Sequence, residues 1–278
     1  MGVWFLVILV YSMRMMMENQ IRRKLAKEVA DFYKHEGKMF SSKRTFVWNV
    51  MDLLTGRLKP GDLVVDVGAG NGRLADILPP DVRYLGVEPS QTLREEAQKN
   101  LLMSLRGVAA TKQSTVDRHT TSNFARDDRT VVSGSLPSLE LSDQIADAVA
   151  CIAVLHHIPS REWRAQSVNE LHRMLKPGGL LLCTVWNLRS KRFWSWQMFK
   201  NAWLRLKGVP GGEPGDLYYA WKASGRPDKR FVHAFTLKEF KSLFDPAFWS
   251  IEKIGAYDRV GWCHWFQGRN LVACVTKK

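Results

Sequence analysis

The chain has 278 residues, of which 45% are hydrophobic and 24% are charged. This length and apolar content predict one full-sized core with a small appendage, and therefore one domain with insertions. Lys and Arg number 41 against 27 Asp and Glu, a net charge of +14. Such a surplus suits a polyanionic partner, namely nucleic acid, an anionic membrane face or an acidic substrate, with a merely soluble basic surface as the alternative. The four cysteines show no paired short spacing, which excludes a zinc knuckle and a disulfide framework within the chain.

Residues 1–20 form an apolar, Met-rich leader. Its apolar run, 3–10, has no preceding basic residue and is shorter than the roughly 20 residues that cross a bilayer. We therefore expect no stable membrane insertion, with a weak membrane tether as the alternative. Translation from one of the clustered methionines would leave this leader outside the protein; these are Met13, Met15, Met16 and Met17.

Residues 21–58 predict an N-terminal helical cap. Apolar side chains recur there at near-helical spacing among Arg and Lys, which indicates two amphipathic helices. The apolar positions are Leu25, Val29, Phe32, Phe46, Val47, Val50 and Leu54.

The remaining residues, 59–278, predict one α/β domain. After a turn signal at 59–62, two β-branched runs at 63–67 and 84–87 flank a short helical segment, a pattern typical of parallel strands with a right-handed crossover. Further strands are predicted at 130–132, 146–154 and 180–186.

Between the last two strands a helix is predicted at 161–175, ended by the Lys-Pro-Gly-Gly segment at 176–179. A helix at 236–244 and an antiparallel pair of strands at 251–256 and 271–276 would complete the sheet. Insertions are expected near 111–130 and 187–235. The predicted fold is a doubly wound, mostly parallel seven-stranded sheet of the Rossmann-like type.

A glycine-rich loop follows the strand at 63–67. Its three glycines lie where strand gives way to helix, and their missing side chains let the backbone turn tightly and approach a ligand. Glu88 ends the next strand about 20 residues later, the spacing at which a carboxylate accepts hydrogen bonds from both ribose hydroxyls. A plain set of turn glycines with a solvated Glu is the alternative. The predicted contacts with a nucleotide-type cofactor are Asp66, Gly68, Ala69, Gly70, Gly72 and Glu88.

This loop, Glu88, the strand at 145–149 and the turn at 176–179 resemble the successive motifs of class I S-adenosylmethionine-dependent methyltransferases. Within that resemblance, the segment IAVLHHIPS at 152–160 is similar to the eukaryotic-type family that esterifies the carboxymethyl group on the wobble uridine of tRNA. Three later segments resemble the Gly-Asp…Trp, Arg-Tyr-Tyr-His-x-Phe and Tyr-Asp-Arg motifs of that family, namely 215–221, 230–235 and 257–259.

The resemblance implies S-adenosyl-L-methionine as cofactor, tRNA as substrate and a small zinc-binding activator subunit as partner. A cytoplasmic location is expected from the four cysteines, whose spacing suits reduced, buried thiols. It also implies cofactor contacts at Ser135, Leu136 and Ala153. The family usually has an acidic residue that contacts adenine before a Leu-Pro pair, whereas this chain has Ser133, Gly134 and Ser135 there. Adenine would then be contacted by main chain or by Ser135.

Methyl transfer from a sulfonium to a carboxylate is an in-line displacement that needs alignment and a dry pocket rather than a catalytic base. An anionic acceptor calls for cationic donors, and we expect Arg230, His233 and Arg259 in that role. The alternative for each is a surface charge or a structural hydrogen bond. Of the pair that follows the fourth strand, His156 and His157, one should face the pocket, and His157 is the candidate for direct catalysis.

The segment at 189–207 interleaves cations with aromatic rings. Such a pattern suits unpaired RNA, because cations follow phosphates and rings stack on bases. An amphipathic helix with its aromatics in a core, or a helix in a partner's groove, fits the same periodicity. Three functions therefore stay open: a tRNA methyltransferase, a methyltransferase acting on a small or lipid-like acceptor, and a cofactor-binding interaction protein without turnover.

Overall fold

The computed structural model describes residues 2–42, 49–112, 129–190, 199, 203, 213–221 and 228–278. The helices of this part are α1 Gly2–Ser42, α2 Asp52–Thr55, α3 Leu74–Ile77, α4 Gln91–Lys112, α5 Arg161–Met174 and α6 Leu237–Lys241. The strands are β1 Leu63–Val67, β2 Arg83–Val87, β3 Arg129–Val132, β4 Ala146–Ile152, β5 Leu175–Trp186, β6 Asp216–Trp221, β7 Asp228–His233, β8 Trp249–Tyr257, β9 Trp262–Cys263 and β10 Asn270–Lys277. Two 3-10 helices lie at Asn49–Met51 and Leu155–His157. Most of the predicted insertion near 111–130, and most of the aromatic segment at 189–207, lies outside the described residues.

The main sheet has the strand order β3-β2-β1-β4-β5-β10-β8-β9. Strands β1 to β5 pair in parallel, while β10 pairs antiparallel with both β5 and β8. The doubly wound, mostly parallel sheet that the sequence predicts is confirmed, including its antiparallel hairpin. An eighth strand, the two-residue β9, adds to the seven predicted, since Trp262–Cys263 pairs with the end of β8.

Alternate residues of the central strands enter two separate cores, one on each face of the sheet. Along β1, Val65 and Val67 pack into one core and Val64 into the other. Along β5, Leu181 and Cys183 lie on the first face and Leu182 on the second. Because both faces are buried, the strands are apolar throughout rather than alternating with polar residues.

The end of α5 differs slightly from its prediction. The helix stops at Met174, because Leu175 already has extended backbone, with φ −72° and ψ 140°, and is the first residue of β5. The Lys-Pro-Gly-Gly segment, predicted to lie between helix and strand, forms the first part of β5. Pairing of β4 with β5 shifts register between Ala146 and Ala148, which accommodates this segment.

One continuous helix, α1, spans both the predicted leader and the first part of the predicted cap. The described remainder of the cap consists of the 3-10 helix Asn49–Met51 and the short α2, whose Val50 and Leu54 are buried under the sheet. Helix α1 packs against α4 and β7. Of the helices that the structure describes, none combines the length and apolar character that crossing a membrane requires.

A second, two-stranded sheet pairs β6 with β7 antiparallel, so that Asp216 lies opposite His233. It falls within the predicted insertion at 187–235. Helix α6 follows it, and the Thr236 side chain caps this helix by accepting a hydrogen bond from the backbone N–H of Glu239 at 3.0 Å. The small sheet thereby brings β7 against α1 and against the 3-10 helix Leu155–His157.

Candidate active site

A cavity of about 670 Å³ lies at the carboxyl ends of β1, β2 and β4. The chain moves from β1 through β2 to β3 and then returns to β4 on the other side of β1. This reversal creates the crevice at which open α/β sheets bind ligands. The cavity is therefore where the fold is expected to bind a cofactor.

The glycine-rich loop after β1 forms the floor of the cavity. Gly68 has φ +76°, and a Cβ built there would lie only 2.3 Å from Cγ2 of Val154. Gly70 has φ +60°, and its backbone N–H donates to Oε2 of Glu88 at 2.9 Å. Gly72 packs against Ala97 of α4 and does not line the cavity. Gly68, Ala69 and Gly70 thus present backbone to a ligand, while Gly72 lets helix α4 approach.

Glu88 lies at the end of β2, where it lines the cavity. Its second oxygen, Oε1, accepts from the backbone N–H of Ser90 at 2.9 Å. Burial raises the pKa of Glu88 and outweighs the two backbone bonds, which lower it. A carboxylate has about four lone-pair sites, so acceptor capacity is left for ribose hydroxyls.

Asp66 is the second buried carboxyl of the cavity, with 4% of its surface exposed. Burial raises the pKa of Asp66 to about 7, although a hydrogen bond of 3.0 Å from the hydroxyl of Tyr84 acts in the opposite direction. The negative charge of Glu88 contributes to the increase. The Asp66 carboxyl therefore ionises near neutral pH.

Ser135, Leu136 and Ala153 line the opposite wall, where the resemblance places cofactor contacts. Ala153 follows β4 with φ +60°, a conformation rare for a residue with a Cβ. Its N–H donates to the backbone oxygen of Thr184 at 2.9 Å and lies 3.1 Å from Oγ1 of the same residue. These bonds hold the end of β4 open towards the cavity.

Helix α1 forms the remaining wall with one face, which includes Ala26, Val29, Ala30, Tyr33 and Lys34. This spacing of three and four residues is the period of one helix face. Ser90 and Thr92 hold the helix there, because their hydroxyls donate to the backbone oxygens of Tyr33 and Lys34, each at 3.3 Å.

His157 also lines the cavity, as predicted for one of the two histidines, whereas His156 is fully buried and stacks on Trp186 with ring centroids 4.6 Å apart. The Nε2 atom of His157 lies 3.0 Å from the hydroxyl of Tyr33. Its Nδ1 lies 3.2 Å from the backbone oxygen of Phe231. His157 therefore joins the cavity to strand β7.

Arg230 lies behind Tyr33, with 0% of its surface exposed. Its Nη1 donates to the Tyr33 hydroxyl at 2.8 Å. The guanidinium carbon lies 4.7 Å from the ring centroids of both Phe32 and Trp186 and 5.3 Å from that of Tyr33. The sequence predicts direct contact between Arg230 and the acceptor, but the structure seats this cation in an aromatic cage and puts Tyr33 at the cavity.

Residues 21–247 match the family model described as "Methyltransferase domain". The chain belongs to this family.

Among curated proteins, the tRNA (carboxymethyluridine(34)-5-O)-methyltransferase of Schizosaccharomyces pombe is 27% identical over 233 residues, covering 80% of this chain and 88% of that protein. The enzyme of that name from Mus musculus, ALKBH8, is 28% identical over 191 residues, covering 69% of this chain and 24% of that protein. The chain spans only 24% to 30% of the length of the first two curated relatives that it matches.

Among solved structures, the complex between the Haloferax volcanii Trm112 methyltransferase activator and a methyltransferase matches with a TM-score of 0.53. The match covers 88% of this chain and 96% of that chain, at 15% identity. Likeness at this level shows that the two share the methyltransferase fold.

His233 of the methyltransferase domain lies outside the cavity, in a buried charge network. Its Nδ1 is 2.6 Å from Asp216 and its Nε2 is 2.8 Å from Glu239. Burial lowers the pKa of His233, but the bonds to these two carboxylates outweigh it and raise the pKa above the ordinary value. Arg164 contacts Glu239 at 3.3 Å and also pairs with Glu213.

Within the described residues, Glu213, Asp216 and His233 bring three possible metal-ligand atoms within 4.8 Å of one another. The guanidinium of Arg164 already supplies positive charge there, and both His233 nitrogens are engaged by carboxylates. The group is therefore a structural ion-pair network that connects β6, β7, α5 and α6. The sequence predicts that His233 contacts the acceptor, whereas the structure places it in this ion-pair network.

Arg259 lies in the exposed turn after β8, where its backbone oxygen accepts from Asn49 at 3.0 Å. It does not line the cavity. Conversely, Tyr33 is a cavity residue that the sequence interpretation missed, because the helical pattern singled out its apolar neighbour Phe32. The signal that could have identified Tyr33 is its aromatic ring with a polar hydroxyl, one position from the core residue Phe32 on the same helix.

Proposed function

We propose that this methyltransferase domain transfers the methyl group of S-adenosylmethionine to the carboxymethyl group of a modified wobble uridine in tRNA, forming a methyl ester. The observation that carries this proposal is the cavity itself. On one side it presents a backbone loop and the buried Glu88, and on the other Tyr33, whose hydroxyl accepts a hydrogen bond from the buried cation of Arg230. The first side suits a nucleoside donor, and the second suits an anionic acceptor.

S-adenosylmethionine supplies a methyl group that is already activated by its sulfonium, so that a carboxylate can accept it without losing a proton. The work left to the protein is binding, alignment and exclusion of water. Asp66, Gly68, Ala69, Gly70 and Glu88 would hold the ribose and amino-acid parts of the donor. Gly134, Ser135 and Leu136, which line the far wall, would contact adenine without an acidic residue.

The substrate assignment draws support from the activity for which the two curated relatives are named and from the charge of this chain. The exposed side of α1 beside the cavity carries Arg23, Lys24, Lys27 and Lys34, and the last of these also lines the cavity. With a net charge of +14, the chain would attract tRNA through its phosphates. A cytoplasmic location and a small zinc-binding activator subunit belong to the same proposal, the latter supported by the solved complex with an activator.

The test combines two measurements. Purified protein, with and without an added activator subunit, is given tritiated S-adenosylmethionine and tRNA that bears 5-carboxymethyluridine. We expect tritium in tRNA, released by mild alkali as methyl esters are, and loss of the methyl ester nucleoside from cells that lack the protein. Glu88→Gln should abolish incorporation, since an amide cannot accept from Gly70 and the ribose in the same way, while the exposed Glu140→Gln should not. No incorporation by the intact protein with activator would refute the proposal.

A further inference from the structure

We infer that Tyr33 orients the methyl acceptor through its hydroxyl, and that Arg230 acts through Tyr33 as a positioning residue. This inference rests on the proposed function, because it assigns a role within methyl transfer at this cavity. It assigns that role to a residue of α1, outside the sheet and outside the motifs that identify the fold.

The direction of the hydrogen bonds around Tyr33 follows from donor chemistry. A guanidinium can only donate, so the Tyr33 oxygen accepts from Arg230. The backbone oxygen of Phe231 can only accept, so the Nδ1 atom of His157 donates to it. When the ring carries no second proton, its Nε2 atom is an acceptor. The single proton of the Tyr33 hydroxyl is therefore directed to His157 in the absence of another acceptor.

This order leaves Tyr33 ready to turn to a ligand. Rotation about the C–O bond moves only the hydroxyl hydrogen, and it can point to an oxygen placed in the cavity while Arg230 still donates to the phenol oxygen. The nearby cation makes donation to an anionic oxygen more favourable than donation to a neutral imidazole. A carboxylate is the acceptor chemistry that this hydroxyl fits.

The Tyr33 side chain is also held in place by its neighbours. Ser90 anchors the backbone oxygen of Tyr33, and the ring contacts Phe32 and His157 edge to face, with centroids 5.3 Å and 5.6 Å away. Arg230, caged by Phe32 and Trp186, has no exposed surface. Its hydrogen bond to the Tyr33 hydroxyl therefore connects this buried cation to a residue that lines the cavity.

The experiment compares Tyr33→Phe with Tyr218→Phe in the full chain with its activator. Tyr218 is the matched control, because its hydroxyl bonds Glu28 of the same helix α1 but lies outside the cavity. We expect Tyr33→Phe to lower kcat by about tenfold to a hundredfold, with KM for tRNA and the Kd of S-adenosylhomocysteine within about threefold of the parent. Tyr218→Phe should stay within about twofold in all three.

Arg230→Lys and Arg230→Gln test the positioning role, the first keeping a charge should the second not fold. Each substitution should lower kcat in the parent protein. In the Tyr33→Phe variant it should cause little further loss of kcat, as expected when one residue acts through another. Equal kcat for Tyr33→Phe and Tyr218→Phe would overturn the role of Tyr33 alone, and additive losses would overturn the role of Arg230. Absence of transfer by the parent protein would overturn the proposed function and this inference together.

Discussion

The two sides of the cavity are built in different ways. The part of the donor side that would hold the ribose comes from one stretch of chain, because Gly68, Gly70 and Glu88 lie within 21 positions and meet across neighbouring parallel strands. The acceptor side joins residues that are far apart, since Tyr33 lies 124 positions from His157 and 197 from Arg230. The donor side depends on backbone shape, and the acceptor side on how α1 and the β6–β7 sheet dock.

The strongest predicted loss comes from filling the glycine-rich loop on the donor side. Gly68→Ala should abolish donor binding, with a loss of at least about a hundredfold in affinity, because its Cβ would overlap Val154 and its φ is +76°. Gly61→Ala is the matched control, since Gly61 has φ +85° with no atom within 4 Å of the added carbon. Calorimetry with S-adenosylhomocysteine measures both. Similar affinities for the two variants would show that the loop does not hold the donor.

The second prediction concerns a substitution that weakens the packing of the β6–β7 sheet on the acceptor side and leaves the donor side unchanged. His233→Gln should lower the free energy of unfolding by about 2–4 kcal/mol at pH 6, because Asp216 and Glu239 lose a cation between them. The folded-state pKa of His233 is raised, so this stabilisation is complete below its ordinary value of 6.5 and declines as pH rises through the higher folded pKa. Urea unfolding from pH 6 to 9 tests it, and a pH-independent difference between parent and variant would contradict it.

A third, smaller effect concerns Asp66 on the donor side. Its pKa rises from 3.8 to about 7 on folding, so the folded chain holds a proton that the unfolded chain releases, and stability falls as pH rises across that window. Asp66→Asn removes this cost and should raise the free energy of unfolding at pH 8 by about 1–2 kcal/mol. The gain should vanish near pH 4. A variant that is less stable at pH 8 would show that the ionised carboxylate is stabilised by the fold.

The smallest predicted effect concerns the attachment of α1. Arg22 pairs with Glu162 of α5 at 2.9 Å, but the Glu162 side chain is 60% exposed. Water and salt screen such a pair, so Arg22→Ala should cost only about 0.2–1 kcal/mol, and less at high salt. Lys27→Ala, which breaks the exposed pair with Asp31 within α1, is the control for a change that leaves α5 untouched. A loss that does not shrink in salt would point to packing rather than charge.

The parts of the molecule that sequence alone predicts are those set by local patterns. The strands of the parallel sheet are apolar on both faces, and the glycine loop with Glu88 has a fixed spacing, so fold and donor cradle follow from short segments. The sequence predicts that Asp66 contacts a cofactor, and Asp66 lines the cavity, but its raised pKa depends on burial, which only the assembled sheet supplies.

The acceptor side could not be predicted in the same way. The sequence indicates that Arg230 and His233 matter, yet whether a cation meets the acceptor or lies behind another residue depends on the docking of α1 on β7. Tyr33 carries no motif, and its role arises from contacts with residues 124 and 197 positions away. The end of α5 could not be predicted for a similar reason. Pairing with β4, a contact between distant residues, extends β5 back to Leu175.

The turn at Glu88–Ser90 is shared by both halves of the cavity. The Glu88 carboxylate lines the cavity, while the Ser90 hydroxyl, two residues on, donates to the backbone oxygen of Tyr33. In the proposed function, the turn that would hold the donor ribose is therefore the same turn that fixes the backbone of Tyr33 on α1.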